Sequence, residues 1–435
     1  MMGELESLTK SVNRNSIWNI LLRGLGILCS LLLLRLNISY LGATLYGLWA
    51  TIASISSWAN FGDLGISNGL RNELTKAIAL NDFSKQLSLI KTAFVMLSII
   101  AVCLFGVLTI LTECLFVTGV MDSFLRVPMY ITNGFFCFSF LLGIGRTISY
   151  SYQKSWLASL AQTGTVISQI LILALLTSFS VNPNLITFAI MMGVGTVIGN
   201  CIIIGILIKY LINLYPSNIR GKYEKQHRNA IMNIGIQFFV LQLCCLVLYA
   251  TDNVIINRLF SSDLVTKYSV ISTVYNTGEN LFSLLLISLW SAVTYAAAKN
   301  EFRWIYNETK KIRKIWLLFS CGVVLVSFLF NIIVKVWLGK ESIHYETSLI
   351  GIFAVYTIFQ TFGSIYVNVS NGLGKIKLQM ICSVIGAICN IPLSVVFAYY
   401  CNMGLLGIKL ATLICCVGSM LIIPLYIKKF LEQKI

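Results

Sequence analysis

Glu279 lies at least about twelve residues from either end of an apolar run over roughly 266–297, too deep in a bilayer for its side chain to reach water. A carboxylate so placed either pairs structurally with an arginine or binds and releases a proton or sodium ion, which is the chemistry of an ion-coupling site. It shares a helical face with Ser272, Asn276, Ser283, Trp290 and Thr294. A second polar set ends the run over about 45–69, in WANFGDLGISNGLR (Trp58 to Arg71). Continued as one helix, this run puts Ser56, Asn60, Asp63, Ser67 and Arg71 on one face, with Asp63 and Arg71 about 12 Å apart along the axis. The pair could gate a wet groove, or Asp63 could be hydrated where the helix meets water, while Gly62, Gly65 and Gly69 permit close helix packing.

Cations complete the set. In the first run, Arg23 lies on a stripe with Asn19, Gly26, Ser30 and Asn37, which would face a lumen; Arg35 points almost the other way and is a weaker cavity candidate that could snorkel outward. Arg146 and Asp252 lie nearer the ends of their runs, and Lys335 and Lys409 are expected to snorkel. Arg23, Arg35, Arg146, Lys335 and Lys409 outnumber Asp63, Asp252 and Glu279, so a shared cavity would favour an anionic group such as phosphate.

The elements that must position these residues are membrane helices. Of 435 residues, 57% are hydrophobic and 11% charged, a balance that a water-soluble fold could not hide. About twelve apolar runs are each long enough to cross a bilayer, and the first is too long and too basic for a secretory signal, so it is expected to remain as a span. The expected fold is an all-α polytopic membrane protein of about twelve transmembrane helices, in two six-helix lobes around a central cavity. The polar stretch KYLINLYPSNIRGKYEKQHR (Lys209 to Arg228) divides the runs: an N-terminal lobe over 1–210, a cytoplasmic linker over 211–230 and a C-terminal lobe over 231–435. The net charge of +16 is spread over alternate short loops, which argues against nucleic acid and, by the positive-inside rule, puts both termini in the cytoplasm.

Several chemistries lack their residues. The thirteen cysteines lie mostly in apolar runs at no metal-ligand spacing, and His227 and His344 fall in separate loops. Gly372-Leu373-Gly374-Lys375 departs from the phosphate-binding loop of ATPases, and Gly193, Gly195 and Gly199 fit helix packing rather than dinucleotide binding. No GxSxG, HExxH or DxD motif and no large external loop is present, so an enzyme is not expected.

Three stretches carry a resemblance: YLGATLYGLWATI (Tyr40 to Ile52), FGDLGISNGLRNELTKAIA (Phe61 to Ala79) and LWSAVTYAAAKNEFRWI (Leu289 to Ile305). With them the sequence resembles the polysaccharide transporter family of the multidrug/oligosaccharidyl-lipid/polysaccharide exporter superfamily, specifically Wzx-type O-antigen flippases. The resemblance implies movement of an undecaprenyl-pyrophosphate-linked oligosaccharide from the cytoplasmic to the periplasmic leaflet of a bacterial inner membrane, by alternating access. A proton or sodium gradient would drive it, with no bound cofactor, and a glycan polymerase and chain-length proteins would be further partners. On that reading Arg23, Arg146 and Arg35 form the cationic cavity, Asp63 and Arg71 the cytoplasmic gate, and Glu279 with Asp252 the ion-coupling set. The alternatives are a cation-coupled drug exporter of the same superfamily, for which a more acidic or aromatic cavity is expected, and a membrane glycosyltransferase or polymerase, which would need a large periplasmic loop.

Overall fold

The computed structural model describes residues 2–57, 62–119, 121–215, 221–260, 262–338 and 345–435. Trp58 to Phe61, Arg220, Lys340 and His344 lie outside the described residues, so the expected place of Asn60 on a polar face has no structural counterpart. The described residues form helices and no strands. They divide into two compact units, Glu6–Ile236 and Gln237–Ile435, the first few residues of the chain, up to Leu5, counting with the second.

The first unit holds α1 (Met2–Leu41), α2 (Ala43–Ser57), α3 (Ile66–Ala79), α4 (Phe83–Val117), α5 (Arg126–Leu142), α6 (Ile144–Ser151), α7 (Trp156–Ser178), α8 (Leu185–Leu214) and the start of α9 (Lys225–Ala250). Local signals set several of these ends. Asp82 caps α4 by accepting from the Lys85 amide at 3.0 Å, and Asn184 caps α8 through the Thr187 amide at 2.7 Å. Gly199 marks the close approach of α8 to α7: a Cβ there would collide with the Ala161 carbonyl and Thr165. The stretch expected as a linker is largely built into the unit. α8 continues to Leu214, and beyond residue 220 the Lys222 and Glu224 amides donate to Ser88 and Thr92 of α4 at 3.2 Å.

The second unit contains the rest of α9, α10 (Asp252–Leu259), α11 (Ser262–Ala298), α12 (Phe302–Phe328), α13 (Phe330–Leu338), α14 (Thr347–Leu373), α15 (Lys377–Val395), α16 (Gly404–Cys415) and α17 (Ile423–Glu432). Tyr268, Ile271, Tyr275, Phe330, Phe353 and Ile408 form the core between α11, α13, α14 and α16. Large side chains such as Leu28, Ile110, Leu318, Phe328 and Ile388 stand exposed, as lipid-facing residues must.

Among the described residues, nine helices are long and apolar enough to span a membrane, and eleven spans result if the pairs α12–α13, bent by 70°, and α16–α17, bent by 45°, each count once. The remaining expected span, over 45–69, is where the structure departs from the sequence reading. The described part of α2 reaches Ser57, and Leu64 and Gly65 take left-handed backbone angles of φ +51° and +73° before α3 starts. A continuous helix cannot pass through two such residues.

Candidate functional site

The C-terminal unit encloses a cavity of about 390 Å³ whose lining carries Asp252, Glu279 and Lys409. Asp252 opens α10 and is only 6% exposed. Its Oδ2 accepts a hydrogen bond from the Tyr268 hydroxyl at 2.5 Å and its Oδ1 one from Thr412 at 3.5 Å. Thr412 in turn accepts from Asn390 at 3.3 Å, so the acid is fixed by α11, α15 and α16 together. About three turns along α11 from Tyr268, Glu279 is half-buried and accepts from the Thr357 hydroxyl of α14 at 2.8 Å. The arginine partner that Glu279 could have had is absent among the described residues; the cation beside it is a lysine.

Lys409 does not snorkel. It is 6% exposed, and its Nζ sits 3.4 Å from the ring centroid of Tyr356 and 4.7 Å from that of Phe353. A buried ammonium needs aromatic faces or negative charge around it, and here it has both, because its charge acts on Asp252 and Glu279. The sequence did hold a signal: Lys409, Thr412 and Cys416 follow at i, i+3 and i+7, which is one helical face and not a fraying end. Tyr249, Tyr268 and Tyr356, also lining this cavity, carry no comparable signal.

In the N-terminal unit a cavity of about 500 Å³ lies among α2, α5, α6, α7 and α8. Arg146 is the charged residue of its lining, beside Ser56, Gln162, Gln169 and Asn200. Arg23 and Arg35 do not line it. Arg35 is exposed on α1, and the stripe predicted to face a lumen packs on protein: Asn19 donates to Ser155 at 3.0 Å and accepts from Ser159 at 2.9 Å, and Gly26 abuts Thr163. Arg23 on that stripe is half-buried, its Nε is shielded without a hydrogen-bond partner, and its charge acts on Tyr150 and Arg146. Arg71 reaches the same tyrosine, its guanidinium 4.7 Å from the Tyr150 ring centroid. Arg23 and Arg71 thus both interact with Tyr150, with Arg146 one turn earlier on the same helix, whereas the sequence reading put Arg23 and Arg146 in a cavity with Arg35, and Arg71 in a gate.

Asp63 does not share a face with Arg71. Its Oδ1 accepts from the Gly65 amide at 2.7 Å and its Oδ2 from the Ser67 amide at 3.4 Å, closing the turn that starts α3. Arg71 is buried, with its carbonyl accepting from Thr75 at 2.7 Å and Ser151 at 3.3 Å. The helical wheel failed here because it assumed one helix through a break.

Comparison with known proteins gives the class. Residues 238–396 match the MatE family model. The whole fold recurs in a MATE transporter of Vibrio cholerae, at a TM-score of 0.80 and 14% identity over 99% of this chain and 98% of that one. It recurs also in a transporter of Pyrococcus furiosus described as having a binding pocket of reversed polarity, at a TM-score of 0.75 and 13% identity over 98% and 96%. The chain thus has the fold of the MATE transporters, a multi-pass membrane fold, with a MatE match over its residues 238–396. Among individual relatives, it is 23% identical over 355 residues to a Yersinia pseudotuberculosis protein assigned to O-antigen export, across 79% of each chain.

Proposed function

We propose that this transporter moves an undecaprenyl-pyrophosphate-linked oligosaccharide from the cytoplasmic to the periplasmic leaflet of the bacterial inner membrane, driven by an ion gradient. The observation that carries the reading is the division of charge between the units. Arg23, Arg71 and Arg146 belong to the N-terminal unit, where Asp63 is engaged with backbone amides and Glu73 with Lys76. The carboxylates of Asp252 and Glu279 line the cavity of the C-terminal unit. Guanidinium groups bind phosphate oxygens in pairs of parallel hydrogen bonds, so the arginine group suits a pyrophosphate, while Asp252 and Glu279 suit the coupling ion. Similarity to the O-antigen export protein supports the choice of a lipid-linked glycan. A glycan polymerase and chain-length proteins would then take the product on the far leaflet.

One observation favours a second reading, export of a cationic drug: two acids and the rings of Tyr249, Tyr268 and Tyr356 line the C-terminal cavity. Lys409 counts against it, because its ammonium already occupies the face of Tyr356. Deleting the gene in its host separates the two. The flippase reading expects a lipid-linked oligosaccharide to accumulate on the inner leaflet and disappear on complementation; sensitivity to cationic drugs without any accumulation would establish the alternative.

A further inference from the structure

The ammonium of Lys409 has no task in the account so far, yet burying it is costly, and three elements of the C-terminal unit are arranged around it. Asp252 faces it from the start of α10, Glu279 from α11 and the ring of Tyr356 from α14, with Phe353 completing the aromatic side. The other titratable groups of this region are Tyr249 on α9, Tyr268 on α11, and Cys416, which ends α16. No carboxylate oxygen of a described residue comes within 4.0 Å of the amine, so the lysine shares the cavity with both acids, interacts electrostatically with each and is not locked to either.

We propose that Lys409 is a tethered counter-cation, standing in this cavity where a mobile metal cation would otherwise stand, and that the ion coupled here is the proton. This rests on the ion-coupled reading above and names its ion. With all three groups ionised, the two carboxylates and one ammonium leave a single negative charge, which one proton cancels. Asp252 is buried and spends its oxygens on Tyr268 and Thr412, whereas Glu279 has one hydroxyl donor and an open side toward the cavity. Glu279 is therefore the acceptor. A hydronium ion gives up its proton, an O–H bond forms on a Glu279 carboxylate oxygen and water remains; release on the other face of the membrane reverses the step. In the protonated state Lys409 and Asp252 form a neutral pair, and no metal ion is needed at any stage. A second bare cation would meet the repulsion of the fixed ammonium and would have to shed its water for oxygens that the lysine already engages electrostatically.

Binding of radioactive sodium to the purified full-length protein tests this without any glycan. Wild type and Lys409→Arg are expected to show no saturable sodium binding, whereas Lys409→Gln, and Lys409→Met as a second neutral replacement, bind sodium saturably, with an affinity at least about tenfold above the upper bound set by the wild type. Saturable binding by the wild type that Glu279→Gln abolishes would overturn the proposal, and so would the absence of any gain in a monodisperse, folded neutral variant. Failure of the flippase reading would instead show as no glycan accumulation in the deletion strain, a result that sodium binding does not touch.

Discussion

Glu279→Gln is expected to abolish gradient-driven accumulation of substrate while leaving the protein folded. The amide keeps an oxygen in place to accept from Thr357, and Lys409 keeps Asp252 as its counter-charge, so neither the α11–α14 contact nor the buried ammonium is orphaned. What the amide cannot do is take up and release a proton. One proton moved per cycle across a difference of one pH unit is worth about 1.4 kcal/mol, or about tenfold in the substrate ratio that the transporter can sustain. In proteoliposomes with the acid side facing the delivery leaflet, the wild-type ratio should rise about tenfold per pH unit, and the Glu279→Gln ratio should stay near unity at every gradient. Glu279→Asp should retain the slope at a lower rate, because its shorter side chain moves the carboxylate from Thr357. A wild-type slope in the Gln variant would remove Glu279 from the coupling step.

The second large effect is structural. Gly65→Leu should destabilise the protein by about 2–5 kcal/mol, the sum of holding a branched residue at φ > 0 and of overpacking a closed contact. The position requires glycine twice over: its φ is +73°, and a Cβ there would collide with the backbone carbonyl of Gly235 on α9. Gly24, in the middle of α1, is the control. Nothing lies within 4 Å of a Cβ built there, so Gly24→Ala should be neutral or stabilise by up to about 1 kcal/mol. Thermal unfolding of the detergent-solubilised variants reads both; equal midpoints for Gly65→Leu and wild type would show that the turn before α3 yields freely.

These two residues also show what the sequence makes legible. Glu279 could be picked out because depth in an apolar run is a one-dimensional property, and so could the span count, where apolar length alone recovers all but the run over 45–69. That run was misread for a specific reason. Asp63, Leu64 and Gly65 form a turn, and once the helix breaks, the phase that placed Asp63 beside Arg71 is lost. Lys409 was misread for another. Distance from a span end predicts snorkelling only if the neighbouring side chains leave the route to water open, and Phe353 and Tyr356 from α14 close it. The interaction of Arg23 and Arg71 with Tyr150 joins α1, α3 and α6, whose packing no single-run pattern contains. Counting cations and acids over the whole chain suggested one cationic cavity. In the structure, Arg23, Arg71 and Arg146 fall in the N-terminal unit, while Asp252, Glu279 and Lys409 share one cavity of the C-terminal unit.

The central claim is that this chain transfers a lipid-linked oligosaccharide across a bilayer at the expense of a proton gradient. The most direct measurement takes the lipid-linked oligosaccharide extracted from the deletion strain, places it with the purified protein in sealed vesicles, and follows its exposure on the outer leaflet to a membrane-impermeant glycan reagent. Exposure that requires the protein and grows when the outside is made acidic is the predicted result. Exposure at the rate of protein-free vesicles, whatever the gradient, would contradict it.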